Sequence, residues 1–318
     1  MKRAILTGPT GGIGTALTEV LCSHGVETYA VCRPGSPRIA RLAPDPLVHI
    51  VECDISEYPS LEGKLPAADA FFHFGWEKTT VQGRDDLDCQ LNNVKYSLDA
   101  ARLAKACGCT VFVGAGSQAE YGIAKGLLSG DTPAFPESGY GIAKYAAGRF
   151  TRNLCAQLGL RHCWVRVLSA YGRNDGEGTL ISYLVRTLRE GGVPKLTPCG
   201  QVWDYIHFTD AARAFFAVAE RGKDGRTYCL GSGSPRPLKE YAEELRDCVA
   251  PGAELQFGAL PYYPHQPMYL AADIRELSED TGWRPEKSFR EGIEEILHSP
   301  AEADEKKRKR LTDEVRNE

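Results

Sequence analysis

The sequence predicts an α/β fold: a doubly wound parallel sheet with helices on both faces, followed by a smaller α/β C-terminal lobe. Three observations support this prediction. Short apolar segments alternate with segments of helical periodicity through the first half of the 318 residues. A glycine-rich turn separates the first apolar segment from the first helix. Beyond residue 169 the alternation loosens, which indicates a second structural unit.

The elements of the first half follow in a regular order. Predicted strands occupy residues 4–6, 26–32, 48–53, 70–74, 110–114 and 163–168. Predicted helices occupy residues 13–23, 88–107 and 140–158, where apolar side chains recur at the spacing of one helical face. Because successive parallel strands need a crossover connection, this alternation predicts right-handed βαβ units.

The second half has a mixed pattern. Residues 179–190 and 209–220 have helical spacing, residues 193–200 form a loop or a short strand, and residues 235–296 contain two helical patterns. We expect residues 226–230 to form a strand that rejoins the main sheet. A charge run over 301–318 is interpreted as a solvated tail.

Composition restricts the classes of function. The chain has 38 Lys and Arg against 42 Asp and Glu, a net charge of −4, which gives no reason to expect a nucleic-acid partner. Its eleven cysteines lack metal-ligand spacing, so we expect free thiols, no metal site and a cytoplasmic location. The apolar run at the N-terminus is too short for a signal peptide or a membrane span, so no membrane partner is expected.

Residues 7–14, with the sequence TGPTGGIG, lie between a predicted strand and a predicted helix. This is the setting of a Rossmann-type dinucleotide site, in which backbone N–H groups and the positive end of the helix face the pyrophosphate. Gly8 permits the tight turn and Gly11 allows a close approach of the ligand. Gly14 allows the helix to pack on the sheet. The alternative is a turn without a ligand. The expected cofactor contacts here are Gly8, Thr10, Gly11, Gly12, Ile13 and Gly14.

The end of the second strand selects between nicotinamide cofactors. An acidic residue there binds the free 2′-hydroxyl of NAD, whereas an arginine favours the 2′-phosphate of NADP. The chain has Arg33 at this point, with Arg38 nearby, so we expect NADP(H) in preference to NAD(H). A solvated surface arginine is the alternative. Asp54 and Ile55 follow the third strand, where they would contact the adenine, although Asp54 would also suit a helix N-cap.

Three further residues have the pattern of proton-transfer chemistry. Tyr140 and Lys144 are four residues apart on a predicted helix and therefore share a face. A nearby ammonium would lower the pKa of the phenol from about 10 and make it a usable acid or base. Ser117 follows the fifth strand, at the carboxyl edge of the sheet, where open α/β folds bind ligands.

With these residues in place, the chain resembles the extended short-chain dehydrogenases/reductases of the nucleotide-sugar epimerase/dehydratase group, up to about residue 297. The matching stretches are residues 7–14, 73–75, 92–94, 117–122, 140–144, 166–172, 204–207, 210–212 and 282–285. The resemblance implies catalytic roles for Ser117, Tyr140 and Lys144, a contribution of Asn93 to the proton and structural network, and cofactor contacts at Phe74, Gly75, Tyr140 and Lys144.

The resemblance also implies a division into units and a substrate. Residues 1–168 would form the NAD(P)-binding domain, which residues 204–232 rejoin, and residues 169–203 with 233–300 the substrate lobe. The substrate would be a nucleoside diphosphate sugar, and we expect a homodimer.

Two departures from the family pattern matter. The Asp-Glu pair that dehydratases place after the catalytic serine is replaced by Gln118 and Ala119, which argues against dehydration. Trp203 replaces an arginine that many members use to bind the diphosphate, so another arginine must do so, and Arg275 is the first candidate, ahead of Arg173 and Arg186. We expect substrate contacts at Trp76, Gln118, Trp203 and Arg275, with simple packing as the alternative for Trp76.

The reaction that best fits these features is a hydride transfer at C4 of the sugar. A 4-keto reductase would consume NADPH, which Arg33 favours. A 4-epimerase would use the same residues with a retained cofactor. A regulatory protein that senses NADP without turnover is the alternative from another class, although such a protein would not need the Tyr140 and Lys144 pair.

Overall fold

A computed structural model describes residues 1–80, 83–262 and 266–298. Its main element is a parallel sheet of seven strands in the order β10-β6-β5-β4-β1-β2-β3. The strands of this sheet are β1 (Arg3–Thr7), β2 (Glu27–Cys32), β3 (Val48–Glu52), β4 (Ala70–His73), β5 (Val111–Ser117), β6 (Arg161–Val167) and β10 (Arg226–Leu230). Two two-stranded sheets contain β7 (Ser169–Tyr171) with β9 (Tyr205–His207), and β8 (Val202–Trp203) with β11 (Arg236–Pro237). The α/β class and the parallel sheet are therefore confirmed.

Helices lie on both faces of the main sheet and in the second lobe. They are α1 (Gly12–Ser23), α2 (Leu87–Ala106), α3 (Gly139–Leu158), α4 (Leu180–Arg189), α5 (Phe208–Arg221), α6 (Leu238–Val249), α7 (Arg275–Thr281) and α8 (Phe289–Leu297). Short 3₁₀ helices span Pro37–Arg41, Ile55–Leu61 and Gln118–Glu120. Among the described residues, no helix is both long enough and apolar enough to cross a membrane.

Two apolar layers bury the faces of the sheet. On one face, Leu17 of α1 and Phe215 of α5 belong to the same buried cluster as Phe72 of β4. On the other face, Leu103 of α2 packs in a cluster with Phe112 of β5. Strands that are covered on both faces have continuous apolar sequences, which explains why these segments lack polar alternation.

A third buried cluster builds the second lobe from α4, α6 and α8. The strand predicted over 226–230 pairs in parallel with β6 and so does rejoin the main sheet. Residues 235–296 contain three helices rather than two, because the seven-residue α7 is too short to show a clear period. The charge run over 301–318 lies outside the described residues.

The fifth strand is longer than predicted and ends at Ser117 itself. Its last half contains Gly114 and Gly116, which have low strand propensity and concealed the strand in the sequence. A Cβ atom on either glycine would lie within 2.4 Å of the side chain of Trp164 on β6. The strand therefore needs glycine there to make room for this indole, and the extension carries Ser117 to the carboxyl edge of the sheet.

Candidate active site

The glycine turn packs against the segment that follows β4. Gly8 has a φ of +69°, and a Cβ atom on it would lie 2.7 Å from the carbonyl carbon of Phe74. A Cβ atom on Gly14 would lie 2.3 Å from the carbonyl oxygen of Gly8, whereas the nearest atom to one on Gly11 is 3.6 Å away. The first and last glycines are thus required by packing, and the middle one leaves the start of α1 open. Within the described part of the chain, no side chain caps this helix start.

A cleft of about 500 Å³ opens in front of this turn. It brings together half of the residues that the sequence predicts for the cofactor and one predicted for the substrate: Gly8, Thr10, Arg33, Arg38, Asp54, Ile55, Gly75 and Trp76. The side chains of Ile13 and Phe74 instead pack against the core cluster under α1. Gly12 faces Phe208, since a Cβ atom there would lie 2.1 Å from its ring. These three residues can reach a ligand only through their backbones.

The end of the cleft next to β2 is rich in arginine. Arg33 and Arg38 are exposed there, and Ser36 caps the 3₁₀ helix by accepting a hydrogen bond from the N–H of Arg38 at 3.4 Å. Arg41, which the sequence reasoning missed, donates to the carbonyl oxygens of Thr10 at 3.4 Å and of Asn174 at 3.5 Å. Arg41 therefore joins the glycine turn to the loop before α4.

Asp54 lines the cleft but is also engaged locally. Its Oδ1 accepts hydrogen bonds from the backbone N–H of Ser56 at 3.0 Å and from the hydroxyl of Ser56 at 2.6 Å. These hydrogen bonds lower the pKa of the Asp54 carboxyl. The alternative that the sequence left open, an N-cap, is therefore present, with Asp54 at the start of the Ile55–Leu61 helix.

Tyr140 lies in the first turn of α3, which Ser138 caps by accepting from the N–H of Gly141 at 3.1 Å. Its side chain is 9% exposed. Burial raises the pKa of the Tyr140 phenol, while a hydrogen bond with Ser117 and the charge of Arg84 act in the opposite direction. The expectation of a lowered phenol pKa was therefore wrong for this structure. The Arg84 guanidinium, 5.1 Å from the centre of the Tyr140 ring, is a second cation that the sequence gave no signal for.

The position of Lys144 explains that result. Its Nζ donates a hydrogen bond to the carbonyl oxygen of Ala115 at 2.8 Å and lies 3.7 Å from the ring centre of Trp76. The ring centre of Tyr140 is farther away, at 6.0 Å. Burial lowers the pKa of Lys144 to about 7, so near neutral pH a large share of this side chain is uncharged. A lysine that is only partly charged stabilises a phenolate weakly.

Trp76 lines the cleft and also packs against its neighbours, and its contact with a substrate stays a prediction. Its ring meets the ring of Tyr140 edge-on, with 6.0 Å between the ring centres, and its Nε1 donates to Oε1 of Gln90 at 2.9 Å.

Asn93 is buried and makes two hydrogen bonds to the backbone of Glu77: its Oδ1 accepts from the N–H at 2.9 Å, and its Nδ2 donates to the carbonyl oxygen at 3.1 Å. Asn93 therefore positions the segment that carries Trp76.

The carboxylate of Glu120 contacts Ser117, and the sequence reasoning did not identify this residue. It is 1% exposed and accepts from the N–H of Ser117 at 2.8 Å, from Nε1 of Trp164 at 3.0 Å and from Nε of Arg166 at 2.7 Å. With both oxygens engaged, Glu120 anchors the short helix of which Gln118 is the first residue. It is a structural carboxylate, held by a buried arginine.

The residues predicted for the diphosphate are dispersed. Arg275 is 80% exposed and bonds Asp273 through Nη2 at 2.6 Å. It is the first residue of α7, and its contact with the diphosphate stays a prediction. Trp203 is half-buried and pairs with Arg236 across the β8–β11 ladder. Arg173 pairs with Glu19 at 3.0 Å, and Arg186 is exposed on α4.

Comparison with known proteins identifies relatives of the chain. The model of the NAD dependent epimerase/dehydratase family matches residues 4–231. CDP-abequose synthase of Salmonella typhimurium is 29% identical over 139 residues, which cover 42% of this chain and 46% of that protein. The dTDP-glucose 4,6-dehydratase of Streptomyces antibioticus is 24% identical over 255 residues, 78% of this chain and 75% of that protein. The chain thus spans about half the length of the first of these relatives.

A solved structure has a similar fold. The UDP-N-acetylglucosamine 4-epimerase from Methanobrevibacter ruminantium matches with a TM-score of 0.84 and 20% identity, over 93% of this chain and 98% of that one. At that identity the match concerns the fold alone. Proteins named as reductases, dehydratases and epimerases all occur among the relatives and similar structures, all at low identity.

Proposed function

The chain belongs to the NAD dependent epimerase/dehydratase family, and we propose that it is an NADP(H)-dependent reductase of a 4-keto sugar carried by a nucleoside diphosphate. The observation that supports this most is the buried Tyr140, whose phenol has a pKa that burial raises. A phenol with a raised pKa keeps its proton at neutral pH. It is then ready to donate that proton to a carbonyl oxygen, which reduction requires.

The cleft fits a dinucleotide. Close packing requires glycine at Gly8 and Gly14, the turn residues Gly8, Pro9 and Thr10 line the cleft, and α1, which follows them, starts without a side-chain cap among the described residues. Backbone N–H groups at such a helix start bind a pyrophosphate. Arg33 and Arg38 would hold a 2′-phosphate at the other end of the cleft. When bound, the cofactor supplies the hydride.

The protein's part in the reaction is to orient the ketone and to supply its proton. The side chains of Ser117 and Tyr140 are close enough to interact, and we propose that both hydroxyls point at one carbonyl oxygen. Tyr140 would donate its proton to that oxygen as negative charge develops there. Lys144, with a pKa of about 7, is suited to hold or release a proton at Nζ close to neutral pH.

Dehydration does not suit this site. Removing water from a sugar needs a carboxyl acid and a base beside the ring, and Gln118 and Ala119 supply neither. The neighbouring Glu120 has both oxygens occupied by Ser117, Trp164 and Arg166. We therefore propose no dehydratase activity, although dehydratases are among the relatives.

A 4-epimerase is the second candidate, because the same Tyr140 would act as a base and then as an acid. The two activities differ in their use of the cofactor. An epimerase regenerates its cofactor in each cycle and would be purified with nicotinamide nucleotide bound, whereas a reductase consumes one NADPH per product. A non-catalytic NADP sensor would bind the cofactor and convert no sugar.

The first test is a panel of nucleotide-linked 4-keto sugars with NADPH, followed at the nicotinamide absorbance band. Loss of the band with at least one sugar supports the reductase. Tyr140→Phe is the control, because it removes one oxygen and keeps the ring contacts with Trp76. Interconversion of C4 epimers without net oxidation of NADPH would favour the epimerase. Binding of NADPH without any sugar conversion would favour the sensor.

We also propose that the protein is a cytoplasmic homodimer. All eleven cysteines are free thiols, which suits a reducing compartment. Helices α2 and α3 pack on each other and expose large apolar side chains, a feature of interaction surfaces: Leu87, Leu91, Ile142 and Phe150. Light scattering after size-exclusion chromatography would test the association. Leu91→Glu should then yield a monomer, and an unmodified protein that is monomeric would rule the proposal out.

A further inference from the structure

A second cavity, of about 540 Å³, lies between α3, the 130–134 segment and the loop that leads into β10. Among the described residues it shares no lining residue with the cofactor cleft. Its volume falls within the range of about 300–1,000 Å³ that is typical of small-molecule sites. The titratable residues that line it are Asp131, Tyr145, Arg149, Arg152, Arg166, Lys223, Asp224 and Arg226.

The charges around this cavity are unbalanced. Of its five cations, Arg166 pairs with Glu120, Lys223 with Asp280, and Arg226 with both Asp131 and Glu276. Within the described ranges, Arg149 and Arg152 have no carboxylate within ion-pair distance.

These two arginines are three residues apart on α3 and therefore lie on one side of the helix. Both are exposed. The Arg152 guanidinium lies beside the loop at Gly225, where a Cβ atom would be 3.1 Å from its Nε. Asp224 also lines the cavity. Its Oδ1 accepts a hydrogen bond from the backbone N–H of His162 at 2.8 Å, so this oxygen is already engaged within the protein.

The floor of the cavity is connected to the active site. Arg166 donates through Nη1 to the carbonyl oxygen of Gly130 at 3.4 Å and through Nε to Glu120 at 2.7 Å. Glu120 in turn accepts from the backbone N–H of Ser117 at 2.8 Å. The carboxylate of Glu120 therefore links Arg166, which lines the cavity, to Ser117 in the active site.

We propose that this cavity is a second anion site, which binds a small organic molecule carrying a phosphate or pyrophosphate group. Arg149 and Arg152 hold the anionic group, because guanidinium forks match the oxygens of a phosphate. Thr227 and Tyr145 also line this space, and their hydroxyls would face the uncharged part of the ligand. The site is separate from the cofactor cleft and does not depend on the reaction proposed above.

Inorganic pyrophosphate is the probe for this site, and the readout must be local because the cofactor cleft also attracts phosphates. We would measure backbone hydrogen exchange by mass spectrometry in the full-length protein, with and without pyrophosphate. The expected result is slower exchange in residues 130–134 and 223–227, which saturates with pyrophosphate concentration and yields a Kd.

Two double variants, each lacking two exposed arginines, form a matched pair. Arg149→Ala with Arg152→Ala should raise the Kd read from these segments at least tenfold, because alanine cannot make the charge-assisted hydrogen bonds that each guanidinium gives to the anion. Arg33→Ala with Arg38→Ala should leave it unchanged. Melting temperatures equal to that of the unmodified protein would show that both variants are folded.

Several results would overturn the proposal. The first is no protection of these segments in the unmodified protein at any pyrophosphate concentration. The second is protection that survives the loss of Arg149 and Arg152. The third is protection that disappears in the Arg33 and Arg38 variant, which would assign the effect to the cofactor cleft.

Discussion

The buried pair of Glu120 and Arg166 makes the sharpest prediction about stability. Their side chains are 1% and 6% exposed, and Nε of Arg166 lies 2.7 Å from Oε2 of Glu120. Glu120→Gln keeps the shape and leaves an acceptor for the N–H of Ser117, but it leaves the guanidinium buried without a counterion. Breaking a buried pair from one side costs about 3–5 kcal/mol. We expect the free energy of unfolding to fall by about that amount.

Urea unfolding measures this loss directly. With a slope of about 3 kcal/mol per M, the midpoint of the Glu120→Gln protein should fall by at least about 1 M. The control is Glu243→Gln, which breaks an exposed pair with Lys239 at 3.9 Å and should move the midpoint little.

A double variant separates charge from packing. Glu120→Gln combined with Arg166→Met removes both partners, and we expect it to be more stable than Glu120→Gln alone, because no charge is left unpaired. A free energy of unfolding of the Glu120→Gln protein within about 0.5 kcal/mol of that of the unmodified protein would be a small effect for a single substitution. It would show that the Arg166 guanidinium does not need the charge of Glu120 for stability.

Four further predictions concern the proposed active site. Tyr140→Phe should lower turnover at least about 10²-fold while leaving the NADPH Kd unchanged in a fluorescence titration; near-normal turnover would remove Tyr140 from the mechanism. Arg33→Ala should raise the Kd of NADPH about tenfold and leave that of NADH unchanged, so an equal effect on both cofactors would contradict the 2′-phosphate contact. Gly14→Ala would place a Cβ atom 2.3 Å from the carbonyl oxygen of Gly8, and calorimetry should detect no cofactor binding; retained affinity would show that the turn can shift. Lys144 has a pKa of about 7 in the folded state and about 10.4 in the unfolded state, so between these pH values the unfolded state binds more protons and the free energy of unfolding rises with pH. Lys144→Met should abolish this rise between pH 7 and about 8.5. An identical pH dependence of stability in both proteins would contradict the lowered pKa of Lys144.

Local patterns in the sequence predicted the secondary-structure elements that carry the candidate site. A strand followed by a glycine turn and a helix is specified within the 21 residues from Arg3 to Ser23, so its position followed from spacing alone. Tyr140 and Lys144 share one helix, which made their common face predictable. The strand at residues 226–230 was recognisable from its short apolar run, and its return to the main sheet is observed.

The electrostatics of the site could not be predicted in the same way. Lys144 turns to the carbonyl of Ala115 and to the ring of Trp76, contacts that join three separate elements. Burial, which depends on the whole fold, then sets the direction of the pKa shifts of both Lys144 and Tyr140. Glu120 had no sequence signal either, because its role comes from Arg166, which lies 46 residues away in the chain.

Isotope transfer is the measurement that tests the proposed reaction most directly. The protein would be incubated with a nucleotide-linked 4-keto sugar and NADPH carrying deuterium at the transferred position of the nicotinamide. We expect one deuterium at C4 of the product sugar for each NADPH oxidised, with transfer at least about 10²-fold slower in the Tyr140→Phe protein. Sugar conversion without deuterium gain or NADPH oxidation would contradict the reductase and favour an epimerase that retains its cofactor.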